Sequence, residues 1–136
     1  MRRIALLGMP NTGKSTLFNR ITGAGARVGN WPGITVDLLA AKILLGGNMV
    51  EVVDLPGIYN LHGFSEDEQV VRRFLETQPV NLLVVILNAS QMDRQLALPL
   101  QLRALNIPMI VLLNMSDEAS RLGVRIDTER LAGRVH

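Results

Sequence analysis

The stretch from Gly8 to Ser15 has the residue types and the spacing that hold the phosphates of a nucleotide. It runs Gly-Met-Pro-Asn-Thr-Gly-Lys-Ser and fits the pattern G-x-x-x-x-G-K-[ST] at every defined position. In such a loop, backbone N–H groups and the positive end of the next helix dipole face the anion. Lys14 would reach the outer phosphates, and the Ser15 hydroxyl would ligate magnesium. The residues that we expect to contact the phosphates are Thr12, Gly13, Lys14, Ser15 and Thr16.

A second group, Asp54-Leu55-Pro56-Gly57, comes directly after the apolar stretch from Met49 to Val53. An aspartate at a strand end beside a phosphate loop can hold magnesium through water, and a glycine N–H can bond a terminal phosphate. Alone this pattern is weak, because an aspartate before Pro-Gly commonly forms only a turn. After a matched phosphate loop, it predicts that Asp54 belongs to a magnesium site and that Gly57 contacts the terminal phosphate.

A third group, Asn114-Met115-Ser116-Asp117, ends the apolar run that starts at Pro108. An aspartate carboxylate accepts paired hydrogen bonds from the N–H groups of guanine, whereas adenine presents a different pattern. The group therefore favours GTP over ATP, with Asn114, Met115 and Asp117 at the base. The alternative is a strand end followed by a helix that Ser116 or Asp117 caps.

Short apolar runs alternate with helical patterns along the chain, as in βα units. Gly46-Gly47-Asn48 has the residues of a tight hairpin turn. Ser65 to Glu68 has the pattern of a helix capping box, and Pro99 should kink or delay the helix in which it lies. The predicted strands are Arg3 to Leu7, Val36 to Leu45, Met49 to Val53, Val80 to Asn88 and Pro108 to Asn114. The predicted helices are Ser15 to Thr22, one that follows Ser65, and Asp93 to Leu105.

These elements predict an α/β fold of the three-layer P-loop NTPase type, with a mostly parallel, doubly wound sheet and one antiparallel edge strand. Ligands bind such sheets at the carboxyl ends of their strands. The three polar groups should therefore lie together at that edge.

Composition sets outer limits on the class of protein. With 136 residues, of which 48% are hydrophobic, the chain suits one domain with a real core. The absence of cysteine excludes disulfides and thiolate metal sites. The longest apolar run, Leu82 to Leu87, is far below the roughly 18 residues that span a bilayer. A net charge of +2 does not by itself indicate a nucleic-acid partner.

Further details narrow the class. Asn11, the segment from Val28 to Val36, and Asp54 to Leu61 together resemble the cytoplasmic G domain of the bacterial ferrous iron transport protein B family. Asn114 to Ala119 resembles it too, including methionine where many GTPases carry lysine. The resemblance covers almost the whole chain, and its most specific part is Gly-Asn-Trp-Pro-Gly from residue 29 to residue 33.

The resemblance implies that Thr35, after Gly33 and Ile34, is the first-switch magnesium ligand that senses the γ-phosphate. It implies that Asn11 binds potassium together with backbone carbonyls near Gly29 and Trp31. The simpler alternatives are a β-branched residue that starts a strand for Thr35, a polar turn residue for Asn11, and a loosely packed aromatic in a mobile loop for Trp31. The implied catalytic residues are Lys14, Thr35, Gly57 and Asn11, and the implied cofactors are GTP or GDP, Mg²⁺ and K⁺.

Ile58 stands where many GTPases carry a glutamine that orients the attacking water. Isoleucine has no polar atom for this task, so we expect slow unaided hydrolysis. A cation beside the phosphates could supply part of the missing charge compensation, and backbone groups or a residue between Ile58 and Glu68 would place the water.

The resemblance also implies a single G domain over residues 1–136 that lacks the final strand and helix of its relatives. Gly123 to Asp127 would lead into a short helix from Thr128 to Ala132. The strand from Pro108 to Asn114 would then have a free edge through which copies could associate. The partners implied are the helical and membrane permease domains, and the location implied is the cytoplasmic face of the bacterial inner membrane.

Two other functions remain open from the sequence. One is a soluble RNA-associated GTPase, which shares the phosphate loop and the Asn-x-x-Asp group. The other is a nucleotide-binding interaction module without useful turnover, which the apolar Ile58 would suit. Iron is not assigned to this domain, because the ferrous ion enters only through the family resemblance.

Overall fold

The computed structural model describes residues 2–10, 12–114 and 124–125. Within these residues the strands are β1 (Arg2–Gly8), β2 (Arg27–Gly29), β3 (Leu38–Leu45), β4 (Asn48–Asp54), β5 (Leu82–Asn88), β6 (Met109–Asn114) and β7 (Val124–Arg125). The α-helices are α1 (Lys14–Thr22), α2 (Glu66–Thr77), α3 (Met92–Gln95) and α4 (Ala97–Leu102). Short 3₁₀ turns cover Gly23–Gly25, Ala89–Gln91 and Arg103–Leu105. The predicted helix from Thr128 to Ala132 lies outside the described residues.

All seven strands form one sheet in the order β2-β3-β4-β1-β5-β6-β7. The central strands β4, β1, β5 and β6 are parallel neighbours, whereas β2 and β3 add an antiparallel edge. The predicted α/β sheet with its antiparallel edge is therefore confirmed. The sequence did not predict the short strand β2, because three residues between glycines are too few for a recognisable period.

The β3–β4 hairpin forms as the glycines predict. Leu45 pairs with Asn48, and the two residues between them, Gly46 and Gly47, have φ angles of 59° and 83°. Positive φ at both central positions matches the right-handed twist of the flanking strands, and glycine adopts it without strain.

The free edge expected for β6 is wrong in part. Leu112 pairs with Arg125 and Leu113 with Val124, so β7 covers the end of β6 in an antiparallel pairing. A strand of two residues is too short for its period to be recognised in the sequence. The edge of β6 at Leu112 and Leu113 is therefore not free to pair with a second copy.

Two apolar layers hold helices on opposite faces of the sheet. Helix α1 places Phe18 against Leu6, Val52 and Ile86 on one face. On the other face a larger cluster joins α2 and α4 to the sheet, and it includes Val71, Phe74, Leu98 and Leu102, all essentially inaccessible to solvent. At about 25 cal/mol per Å² of apolar area, this burial is the main force that fixes the strand ends relative to one another.

The predicted long helix after Asp93 is broken at Leu96 into α3 and α4. Pro99 lies in the first turn of α4, where its missing N–H needs no helical partner. Of the two expected effects of Pro99, a kink or a delayed start, the structure shows a break in a helix that already begins at Met92. In the part of the chain that the structure describes, no helix is long and apolar enough to cross a membrane.

Candidate nucleotide-binding site

The three polar groups meet at the carboxyl ends of neighbouring strands. The phosphate loop follows β1, Asp54 ends β4, and Asn114 ends β6. Register places Asp54 beside Leu6 of β1, and Asn114 beside Asn88 of β5. The site predicted at this edge of the sheet is therefore assembled from the strands that the sequence indicated.

The phosphate loop is shaped by its two glycines. Gly13, just before α1, has a φ of 85°, a left-handed conformation that side chains with a Cβ atom rarely adopt. A Cβ atom at Gly8 would lie 2.7 Å from the carbonyl oxygen of Ile86 on β5, so only glycine allows this close approach. The hydroxyl of Thr12 donates to the carbonyl oxygen of Met9 at 3.0 Å and closes the loop. Asn11 lies outside the described residues.

Asn114 is tied directly to the phosphate loop. Its side-chain amide donates to the carbonyl oxygen of Thr12 at 2.6 Å, and a Cβ atom at Gly13 would overlap that amide nitrogen. The sequence suggested Asn114 only as a contact to the base. The structure shows that it joins the end of β6 to the phosphate loop, a contact across 102 positions that no local pattern could reveal. Met115 and Asp117 lie outside the described residues.

Lys14 forms an ion pair with Asp54, through Nζ and Oδ1. The two side chains are only 10% and 12% exposed. The pair demonstrates that the phosphate-loop lysine and the strand-end aspartate occupy one small space, as the two motifs required. Ser15 and Thr16, the next residues of α1, are exposed to solvent.

This donor set suits a hard divalent cation. Magnesium binds oxygen atoms and keeps several waters, so one hydroxyl and one carboxylate close together suffice when phosphates complete its shell. Ser15 directly follows Lys14, whose ammonium contacts Asp54, and it lies in the first turn of the helix at the end of the same loop. Among the described residues, no group of three or more His, Cys, Asp or Glu side chains could hold a metal without such a ligand.

The segment after Asp54 packs against the phosphate loop. A Cβ atom at Gly57 would lie 3.0 Å from both the nitrogen and Cα of Pro10. The N–H of Ile58 donates to the carbonyl oxygen of Gly8 at 2.9 Å, and the Ile58 side chain is 1% exposed within the core. Gly57 is thus held beside the loop as predicted. Ile58 is a core residue and cannot contact an attacking water.

The segment implied by the resemblance to be the second switch segment, residues 57–66, is held by side chains of α2 and α4. The Glu68 carboxylate accepts from the Asn60 N–H at 2.9 Å and from the Ser65 hydroxyl at 2.8 Å. One helical turn further on, Arg72 donates to the carbonyl oxygen of Leu61 at 2.7 Å. Gln101 of α4 accepts from the Leu61 N–H at 2.7 Å. The sequence predicted the capping box at Ser65 but not these contacts, which tie the segment in place.

The hydrogen bond from the Ser65 side chain, helped by the N–H groups of Asn60 and Ser65, lowers the pKa of Glu68 below its ordinary value of 4.5. A carboxyl with a lowered folded-state pKa stabilises the fold fully above pH 4.5 or so and loses that contribution as pH falls through the folded value. We therefore expect Glu68→Gln to destabilise the protein more at pH 7 than at pH 3. Urea unfolding at both pH values measures the difference. Glu76→Gln, an exposed position on the same helix, is the control, and an equal loss at both pH values would contradict the role of the Glu68 charge.

The segment implied by the resemblance to be the first switch segment, residues 24–35, packs on α2 through Trp31 and Gly33. Thr35 is exposed. Trp31 is half-buried, and its ring lies edge-on to Phe74 with the centroids 5.4 Å apart. The expectation of a loosely packed Trp31 is wrong, because the indole packs against the core cluster. The Trp31 carbonyl oxygen accepts from the Ile34 N–H at 3.1 Å.

The turn itself follows from its residue types. Trp31-Pro32-Gly33-Ile34 has proline at its second position and a glycine with a φ of 80° at its third, as a type II turn requires. Gly33 lies against α2, where its Cβ would meet the Arg73 guanidinium at 3.4 Å. The Gly-Asn-Trp-Pro-Gly sequence thus specifies both a turn and a seat for the indole.

Comparison with known families decides the class of the chain. The model for "Ferrous iron transport protein B" matches residues 2–136. The chain belongs to the ferrous iron transport protein B family. The Fe(2+) transporter FeoB of Synechocystis sp. is 59% identical over 134 residues, which are 98% of this chain and 22% of that protein. The Fe(2+) transporter FeoB of Salmonella typhimurium is 44% identical over 136 residues, 97% of this chain and 18% of that protein.

Solved FeoB structures share the fold. The cytosolic domain of L. pneumophila FeoB has a TM-score of 0.81 and 42% identity, over 96% of this chain and 52% of that one. A variant of S. thermophilus NFeoB bound to GDP has a TM-score of 0.78 and 40% identity, over 98% of this chain and 52% of that one. This chain therefore spans about a fifth of the length of the curated FeoB relatives and about half of these solved chains.

Proposed function

We propose that this chain is the GTP-binding and slowly GTP-hydrolysing switch domain of a bacterial ferrous iron transporter. The observation that carries the proposal is the Lys14–Asp54 ion pair at a phosphate loop to which Asn114 is tied. These three residues come from the three motifs that a guanine-nucleotide site needs, and the fold brings them to one edge of the sheet. The GDP-bound S. thermophilus relative supports the choice of nucleotide.

In this proposal the loop from Thr12 to Thr16 holds the phosphates, and Lys14 exchanges Asp54 for the outer phosphates. Ser15, Thr35 and Asp54 hold Mg²⁺, which would neutralise charge on the phosphates. Gly57 contacts the terminal phosphate through its N–H. Asn114, Met115 and Asp117 hold the guanine.

Hydrolysis is proposed to be slow and to depend on potassium. The buried Ile58 supports slow hydrolysis, because its apolar side chain cannot orient the attacking water. Potassium would take Asn11 and the carbonyls of Gly29 and Trp31, and the Trp31 carbonyl oxygen has a second lone pair beside the one that accepts from Ile34. Comparing turnover in potassium and in sodium chloride tests this part, and equal rates would remove the potassium site.

Iron transport is proposed at the level of the whole protein. The domain would act with helical and membrane permease domains, at the cytoplasmic face of the inner membrane, and the nucleotide state would regulate the permease. The Gly-Asn-Trp-Pro-Gly turn and the family match favour this proposal over an RNA-associated GTPase.

The base preference gives the direct test. We expect the protein to bind GTP and GDP at least about a hundredfold more tightly than ATP, since a site built to pair with base N–H groups rejects a base that leaves them unpaired. In the D117N variant the carboxylate becomes an amide that can donate, so GTP binding should fall while binding of xanthosine triphosphate, with a carbonyl in place of the guanine amino group, should rise. Competition against a fluorescent GDP measures the affinities for GTP, GDP, ATP and xanthosine triphosphate. Equal ATP and GTP affinity in the unaltered protein would remove the GTPase assignment.

A further inference from the structure

Phe74 of α2 is a core residue that none of the nucleotide motifs includes, yet it contacts the first switch segment. Its side chain is 0% exposed, and the Trp31 ring meets it at an interplanar angle of 76° with 5.4 Å between centroids. This edge-to-face geometry is the favoured one for aromatic pairs. The guanidinium carbon of Arg3 lies 5.8 Å from the same Phe74 ring, within the range of a cation–π contact.

The Trp31 indole packs against Gly29 as well as against Phe74. A Cβ atom at Gly29 would lie 2.6 Å from Cη2 and 2.8 Å from Cζ3 of Trp31, so the ring folds onto bare backbone. The type II turn at Pro32-Gly33 directs the chain back toward α2. The segment is thus anchored at Trp31 by a specific aromatic contact.

The Phe74 ring lies beside the guanidinium of Arg3, near the amino end of β1, whereas the phosphate loop follows the carboxyl end of that strand. Phe74 is eight residues into α2, which is roughly 12 Å along the axis from the helix end that follows the second switch segment. Thr35, four residues after Trp31, is exposed in this arrangement. Leu39 pairs with Asp54, so four extended residues, roughly 13 Å, connect Thr35 to the site. Thr35 is therefore within reach of Asp54 along the chain, and the segment before it is held on α2 by Trp31.

The indole has room to leave. A cavity of about 620 Å³ adjoins it, lined by Gly29, Asn30, Ala40 and Lys42 among others. Trp31 is half-buried, so one side of the indole faces this cavity while the other packs on the core cluster.

We propose that Phe74 is a positioning residue that sets the discrimination between GTP and GDP. It holds Trp31 on α2 and so keeps Thr35 out of the site. A γ-phosphate binds Thr35 and draws it into the site against this contact. This rests on the proposed guanine-nucleotide site. A ligand that binds only the released form must overcome the Trp31–Phe74 contact, whereas GDP, which offers Thr35 no γ-phosphate, binds with the contact intact. Weakening the contact therefore raises GTP affinity and leaves GDP affinity unchanged.

The sole tryptophan of the chain provides the first measurement. With excitation at 295 nm, Trp31 emission should shift to longer wavelength, and its quenching by acrylamide should rise, when a non-hydrolysable GTP analogue binds with Mg²⁺. Saturating GDP should leave both unchanged. Identical emission and quenching with the two nucleotides would overturn the proposal, and this measurement needs no variant.

The second measurement uses Phe74→Leu, which keeps an apolar side chain in the core but removes the ring. The affinity for the GTP analogue should rise about two- to tenfold relative to that for GDP, the range that aromatic pair strengths predict. Leu75→Val is the control, because it removes one methylene group from the buried face of the same helix, keeps the Trp31–Phe74 ring pair, and should leave the ratio unchanged. The same ratio in both variants, or no change in either, would overturn the proposal.

The two proposals fail differently. Failure to bind any guanine nucleotide would overturn the site assignment and this inference with it. Tight guanine-nucleotide binding with unchanged Trp31 emission would overturn only the role of Phe74.

Discussion

Nucleotide affinity is expected to fall by about a hundredfold or more when Lys14 is replaced by alanine, because truncating one partner of a buried charged contact costs about 2–5 kcal/mol. Two effects add. The ammonium that would meet the outer phosphates is lost, and the Asp54 carboxylate, only 12% exposed, is left without its cation beside the incoming anion. GTP and GDP binding should both suffer, GTP more, since it carries more charge. Titration with fluorescent nucleotides in the presence of Mg²⁺ measures the loss.

Lys42→Ala is the matched control for Lys14→Ala. Lys42 is an exposed lysine on β3, so its loss changes the net charge equally but removes no contact at the site. Its nucleotide affinity should stay within about twofold, as is usual for an exposed charge away from a site. Unchanged triphosphate binding in Lys14→Ala would refute the assignment of the phosphate loop.

The order of the strands around the site followed from local signals. Buried parallel strands appear as unbroken apolar runs, so β5 and β6 could be predicted before their partners were known. The Gly46-Gly47 turn and the Ser65 capping box each depend on a few adjacent residues, and both form as predicted. Because the three motifs each follow a predicted strand, their convergence at one edge of the sheet could also be predicted.

The contacts that shape the site could not be predicted from the sequence. Asn114 meets Thr12 and Arg72 meets Leu61 through packing of the whole chain, and a sequence pattern carries no distance between such positions. Trp31 is the clearest example of a contact that the sequence does not predict. Its turn is encoded locally by Pro32-Gly33, but its partner Phe74 belongs to a helix 43 positions further along. Glycines on both sides suggested a mobile loop, whereas Gly29 in fact makes room for the indole.

Gly13→Ala is expected to weaken nucleotide binding by about a hundredfold as well, although alanine adds only one methyl group. The left-handed φ of 85° costs a residue with a Cβ atom of the order of 1 kcal/mol. The new methyl group would also overlap the Asn114 amide, which must move and give up its 2.6 Å hydrogen bond to Thr12. Loop and base contact are therefore disturbed together. Gly25→Ala, in a 3₁₀ turn with open space around it, is the control and should bind normally.

The steric overlap between an alanine side chain at position 13 and Asn114 leads to a second prediction for this pair of residues. Removing the Asn114 amide should relieve the overlap, so the Gly13→Ala change should lower the thermal midpoint less in an Asn114→Ala background than in the unaltered protein. Residues in contact show such interaction energies, about 0.5–3 kcal/mol, whereas distant residues add independently. Recovery should be partial, because the φ strain at residue 13 remains. If the two changes in stability were strictly additive, the Asn114 side chain would not contact residue 13. The direct link between the end of β6 and the phosphate loop would then be contradicted.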